Sequence, residues 1–218
     1  MKKLLCITAG LTALLASVSC NDHTQETSSE NSSVQFRENG KLKIAHFTDI
    51  HLIWTNQTEY EKTYNQLCYI LDSEKPDLAI LTGDLIFGDG HARESLDKFF
   101  GAFDDRNVPF VAVYGNHDRE RDLSEWDLAS VIADHPSSLN TIKDGYLDDV
   151  ALRVMSSDGS KVSAVLYCMD SGDYPSFSGF EGYAWMAHSQ VEWYEKMSTA
   201  FTAANGNVPV PSYASFHI

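Results

Sequence analysis

From Lys41 onward, hydrophobic positions alternate between two periods. Short runs rich in β-branched and aromatic residues at 42–48 (LKIAHFT), 78–82 (LAILT) and 110–114 (FVAVY) read as strands. The longer amphipathic stretches at 59–74, 92–106 and 124–134 read as helices. Pro76-Asp77 precedes the second strand and Pro109 the third, where a missing N–H is tolerated. Further strands are expected at 150–156 and 161–168, joined by the turn Ser156-Ser157-Asp158-Gly159, then a helix at 188–203 and a strand at 212–216. Such alternation predicts an α/β fold. The 218 residues suit one domain.

The amino terminus breaks the pattern. Lys2 and Lys3 precede an apolar stretch from Leu4 to Val18 that ends at Ser19-Cys20. A short positive segment before an apolar one too short to span a bilayer reads as an export signal, residues 1–20. Its end, Leu15-Ala16-Ser17-Val18-Ser19-Cys20, resembles a bacterial lipoprotein signal, although Ser17 stands where a large aliphatic residue is usual. The resemblance implies a lipidated Cys20 and membrane attachment, in the periplasm or at the outer membrane; an ordinary secretory signal is the alternative. Residues 21–40 are rich in Ser, Asn and Glu and read as a polar linker. The folded domain is then expected over 41–218.

Charge limits the partners. Sixteen basic residues face 31 acidic ones, a net −15. Removal of residues 1–20 leaves 14 basic residues and a balance of −17. A surface this acidic repels a phosphodiester backbone, which argues against nucleic acid as partner. Beyond the leader only Cys68 and Cys168 remain, each in an apolar run, and the sequence leaves open whether they pair.

Polar residues collect at the strand ends. The first strand runs into Asp49-Ile50-His51, the second into Gly83-Asp84, the third into Gly115-Asn116-His117-Asp118 and the last into His217. In open α/β sheets such ends converge on one crevice. If the backbone stays extended, Asp49 and His51 point the same way and close on a single ion. Carboxylate plus imidazole suits Zn, Fe or Mn better than Ca. Asp84 can bridge two ions, and Asn116 and His217 can serve the second. Two divalent ions bring more positive charge than Asp49, Asp84 and a bridging hydroxide remove, so the centre would attract phosphate despite the acidic whole. Ions about 3.5–4 Å apart can activate a shared water and hold a phosphoryl oxygen. His117 is placed to protonate a leaving group, with Asp118 expected to fix its tautomer. Gly83 and Gly115 would allow tight turns beside the ions. A lone Asp-x-His or Gly-Asp is weak evidence. The ordered set, 35 residues from Asp49 to Asp84 and 32 from Asp84 to Asn116, is much more specific.

FTDIHL, LTGDLIFG, VYGNHD and YASFHI together resemble the calcineurin-like metallophosphoesterase superfamily across about 43–218. WMAHSQVEWYEK looks closest to its purple-acid-phosphatase-like branch. The resemblance implies a layered β-sandwich of mixed sheets flanked by helices, two metal ions, and hydrolysis of phosphate monoesters or diesters. It places Asp49, His51, Asp84, Asn116 and His217 as metal ligands and His117 against the phosphate or leaving group. The sequence departs from that pattern at two points. True purple enzymes carry a tyrosine three residues after the bridging aspartate, whereas this chain has Phe87, so no purple colour is expected. The concluding Gly-His-x-His-type motif is also missing before Ile218, which reads as a C-terminal truncation with weak binding of the second metal.

Other histidines carry less. His46 reads as part of the sheet, and His91 could reach substrate from a Gly-rich loop but suits a surface turn better. His23, His135 and His188 show no partner pattern. The stretch 171–185, with five aromatic residues among its glycines, suits either a loop covering the site or one packed on itself. The expected substrate is a phosphorylated small molecule or protein, with monoesters ahead of diesters. Alternatives are a phosphodiesterase or nucleotidase, and a catalytically silent surface binding protein. Neither G-x-x-x-x-G-K-[ST] nor G-x-S-x-G occurs.

Overall fold

A computed structural model describes residues 32–87, 90–120, 122–175, 179 and 181–217. Among them the order is β1 (Ser33–Gln35), β2 (Ile44–Phe47), α1 (Gln57–Glu74), β3 (Leu78–Thr82), α2 (Ala92–Asp104), β4 (Phe110–Val113), a 3-10 turn (His117–Arg119) and α3 (Glu125–Ala133). Then come β5 (Ile142–Lys143), β6 (Tyr146–Leu147), β7 (Val150–Met155), β8 (Val162–Cys168), α4 (His188–Ala204) and β9 (Ser212–Ser215). The expected elements therefore form, with boundaries shifted by a few residues.

β2, β3 and β4 make one parallel sheet in that order. The second sheet runs β1-β7-β8-β9, with β7 and β8 antiparallel and both outer pairs parallel. The unbroken apolar runs of β3 and β4 are explained by burial on two faces, as parallel strands require. One face meets the second sheet, where Leu78, Ile80, Val111 and Val113 pack on Val150, Leu152, Val154 and Leu166. The opposite face meets α1, α2 and α3 through Leu81, Phe110, Leu71, Leu96, Phe99 and Leu128. α4 covers the outer face of the second sheet, setting Trp193, Tyr194 and Met197 against Val165 and Tyr167. The result is helix, sheet, sheet, helix: the layered sandwich that the resemblance implied, with one sheet parallel and the other mixed.

The polar linker requires one correction. β1 lies inside 21–40 and pairs Ser33, Val34 and Gln35 with Arg153, Val154 and Met155. Val34 and Phe36 alternate with polar residues and turn one face onto the inter-sheet core, so this short piece has apolar surface that the segment's composition conceals. The expected signal at 1–20, His23 and most of the linker lie outside the described residues. Among the described residues no helix is long and apolar enough to cross a membrane. Cys68 and Cys168 are both free thiols.

Candidate metal centre

The loops after β2, β3 and β4 meet beyond the carboxyl ends of their strands. Backbone bonds run from Asp49 N–H to the Gly83 carbonyl (3.1 Å), His51 N–H to the Asp84 carbonyl (2.9 Å) and Leu52 N–H to the Leu85 carbonyl (2.8 Å). These bonds carry the parallel pairing past the sheet and set the first two acidic segments side by side. Asp49, His51 and Asp84 have φ of 51°, 51° and 53°. Non-glycine residues seldom occupy this region, and such strain collects at functional sites.

The turn is also crowded. A Cβ on Gly83, whose φ is +86°, would stand 2.3 Å from the Gly115 nitrogen. A Cβ on Gly115 would stand 2.2 Å from Asp84 Oδ1. Both positions need glycine because the loops after β3 and β4 touch there.

Two groups of donors form, and both contain Asp84. His51, Asp84 and His117 make one; Asp49, Asp84 and His217 make the other, with ligand atoms in each within 4.8 Å of one another. His51 Nε2 lies 3.1 Å from Asp84 Oδ2, and the Asp84 Oδ1 accepts the His117 backbone N–H at 3.0 Å. The extended backbone expected at Asp49 and His51 does not form: both residues adopt the left-handed conformation, and each shares a candidate donor group with Asp84.

His217, two residues past β9, is oriented by a backbone carbonyl. Its Nδ1 lies 2.8 Å from the Thr82 carbonyl oxygen, which can only accept, so Nδ1 carries the proton. In the neutral ring Nε2 then presents a lone pair 3.6 Å from the carboxylate oxygen Asp84 Oδ2. Both atoms are buried, and a cation between them would be held by the imidazole and the carboxylate together. A ring nitrogen donating to a backbone carbonyl is also how metal-bound histidines are commonly oriented. The donor set therefore fits metal ions of the Zn, Fe or Mn type. Asn116, 6% exposed, donates from Nδ2 to the Tyr174 hydroxyl at 3.1 Å, leaving Oδ1 as the atom available to a cation.

The expected partnership of Asp118 with His117 does not form. Asn116 has helical backbone angles and begins the 3-10 turn, which is not extended, so Asp118 turns inward. Its carboxylate accepts backbone N–H groups from Asp84, Gly115 and Leu85, each at 2.8 Å, and from Ile86 at 3.1 Å. Burial pushes the Asp118 carboxyl up to about 6, against the pull of those N–H donors. The residue facing the His117 ring is Glu120, whose Oε2 lies 2.8 Å from Nδ1. The i,i+3 spacing of 117 and 120 was the available signal.

Phe87 stacks on His51 with ring centres 5.3 Å apart and meets His117 edge-on at 4.8 Å. His91 stands at the N-cap position of α2 without a side-chain capping bond, its Nδ1 3.9 Å from Glu94. His46 Nε2 lies 2.9 Å from Thr82 Oγ1 within the sheet, and His135 is bound to Asp104 at 2.6 Å. From the aromatic stretch, Tyr174 reaches the site through Asn116 and Glu120 and is tilted against Tyr183 at 5.9 Å. Phe177 and Phe180 lie outside the described residues.

An α/β sandwich with two carboxylate–imidazole donor groups joined at one aspartate defines a candidate dinuclear metal site. The family model described as calcineurin-like phosphoesterase matches residues 42–217, and the chain belongs to that family. It is 30% identical over 224 residues to an Arabidopsis thaliana protein named probable inactive purple acid phosphatase 28, a match covering 87% of this chain and 56% of the relative. Phosphatase DCR2 of Saccharomyces cerevisiae is 28% identical, covering 83% of this chain and 36% of its own. The chain thus spans about half the length of the Arabidopsis relative, and less of the yeast one. Among solved structures, a dimetal phosphatase from Danio rerio shares the fold with TM-score 0.55 and 15% identity, over 81% of this chain and 69% of that one.

Proposed function

We propose that the protein hydrolyses phosphate monoesters at a dinuclear metal centre held by Asp49, His51, Asp84, Asn116 and His217. The observation that carries this reading is the single buried Asp84 shared by two donor groups. Bound metal would supply charge for the phosphoryl oxygens and lower the pKa of a water. Asp84 is held at both carboxylate oxygens, Oδ1 by the His117 backbone N–H and Oδ2 beside the His51 ring, and would be the ligand common to both ions. His217 is oriented by Thr82, and Asn116 by Tyr174. His117, close to His51 and Asp84 but partly open to solvent, is placed to hand a proton to the departing oxygen. The basic and then apolar pattern of residues 2–18 supports export, with lipid attachment at Cys20 as the accompanying proposal.

The test is turnover of nitrophenyl phosphate, bis-nitrophenyl phosphate and nucleotides by the purified protein loaded with Zn, Mn or Fe. Metal-dependent turnover highest on the monoester supports the reading, and preference for the diester or a nucleotide transfers it to the corresponding alternative. The name of the Arabidopsis relative favours a second reading, binding without hydrolysis. Metal binding with no turnover of any ester would select it.

A further inference from the structure

Four side chains, the candidate proton donor among them, are joined by a run of hydrogen bonds that converges on Glu120. The Asn116 amide nitrogen donates to the Tyr174 hydroxyl oxygen at 3.1 Å. That hydroxyl donates to Glu120 Oε1 at 2.7 Å. The other oxygen, Glu120 Oε2, lies 2.8 Å from His117 Nδ1. A carboxylate only accepts, so the Nδ1 proton belongs to this bond, and Nε2 is the nitrogen left for the metal centre and substrate. Donor and acceptor roles are fixed along the whole run: reversing any one bond would set two donors or two acceptors against each other.

Neighbouring contacts hold this run at both ends. Arg119, which precedes Glu120, is ion-paired with Asp170, four residues before Tyr174, and with Glu125 at 3.1 Å. Its guanidinium also lies over the Tyr114 ring, 4.7 Å from the centre. The 3-10 turn carrying His117 and the loop after β8 carrying Tyr174 are therefore clamped together beside the bonds that join their tips. Asp170 is fixed in turn: its backbone N–H donates to Asp149 at 3.0 Å, and its carbonyl accepts from Gln190 of α4 at 2.7 Å.

We infer that Glu120 and Tyr174 are positioning residues that together fix the tautomer of His117 and the amide orientation of Asn116. Tyr174 thereby belongs to the working site, coupling the proton donor to a proposed metal ligand. The inference rests on the phosphoesterase reading for its kinetic consequence, but not for its structural one.

The experiment compares Glu120→Ala, Glu120→Gln and Tyr174→Phe with the parent protein by two readouts. Two-bond proton–nitrogen correlation spectra of histidine-labelled protein at neutral pH report the His117 tautomer, with His117→Asn assigning the signal. The parent should show the Nδ1–H form, Glu120→Ala a mixture, and Glu120→Gln substantial recovery, since the amide oxygen can still accept. In kinetics, Glu120→Ala and Tyr174→Phe should lower kcat for an alkyl phosphate at least about tenfold more than for nitrophenyl phosphate, with KM changing far less. An unchanged tautomer in Glu120→Ala, or equal kcat losses on both esters, would overturn the inference. If Glu120→Ala does not fold, Tyr174→Phe, which removes one oxygen from a partly exposed ring, decides the kinetic arm and Glu120→Gln the spectroscopic one through any shift in the His117 signal. If the parent hydrolyses neither ester, the phosphoesterase reading fails, while the spectra still decide whether Glu120 sets the tautomer.

Discussion

The carboxylate of Asp118 accepts the backbone N–H of Asp84 at 2.8 Å, so one buried acid holds in place the acid that both donor groups share. Three further N–H groups converge on the same carboxylate, which makes Asp118 the link between the ends of β3 and β4. Replacing it with alanine strands buried donors, at a cost on the order of 3 kcal/mol. Thermal unfolding should show a clear drop in Tm for Asp118→Ala and a smaller one for Asp118→Asn. An unchanged Tm for Asp118→Ala would exclude this role.

The same residue predicts a pH effect in the metal-free protein. Burial raises the folded carboxyl from 3.8 to about 6, so the folded state holds this proton more tightly than the unfolded one. The stabilising contribution is complete below about 4 and is lost as pH rises through about 6. Asp118→Asn, neutral at every pH, removes the dependence. Denaturant unfolding of both proteins across this range should show the parent losing stability relative to the variant as pH rises; a pH-independent difference would contradict it.

Gly115→Ala should destroy the centre while adding only one carbon, because that carbon would stand 2.2 Å from Asp84 Oδ1. Metal affinity is expected to fall at least roughly tenfold, the order seen when groups supporting a metal site are disturbed. Calorimetric metal titration reads this directly.

Much of this arrangement was legible in the sequence. β3 was readable to the residue because Pro76-Asp77 and Gly83 bracket an apolar run, and the strand-end acids and histidines were readable because each follows such a run. β1 was not: two apolar residues in a polar segment show their purpose only beside β7, more than a hundred residues later. The β5–β6 hairpin was hidden because its strands have two residues each, although Asp144-Gly145 is a recognisable turn. The choice between Asp118 and Glu120 as partner of His117 depended on a single 3-10 turn, and Tyr174 lies 58 residues from the amide it touches.

His117→Asn should lower turnover far more for esters with basic leaving groups than for activated aryl esters, since proton donation matters most when the departing oxygen is basic. A series of phosphate esters of graded leaving-group pKa checks this. Equal losses across the series would remove His117 from the role.

Phe87 lies against both His51 and His117 yet has no oxygen to offer a metal. Iron-loaded protein should show no tyrosinate-to-iron band in the visible spectrum, and Phe87→Tyr should gain one. A strong visible band in the parent would mean that another phenolate reaches the iron.

The most direct test of the central claim is the metal content of the purified protein at saturating Zn or Mn, beside Asp84→Ala. Two donor groups joined at one carboxylate predict about two ions per chain in the parent and fewer than one in the variant, because the substitution removes a ligand from both. A parent that binds no metal, or an Asp84→Ala protein that still holds two ions, would contradict the account.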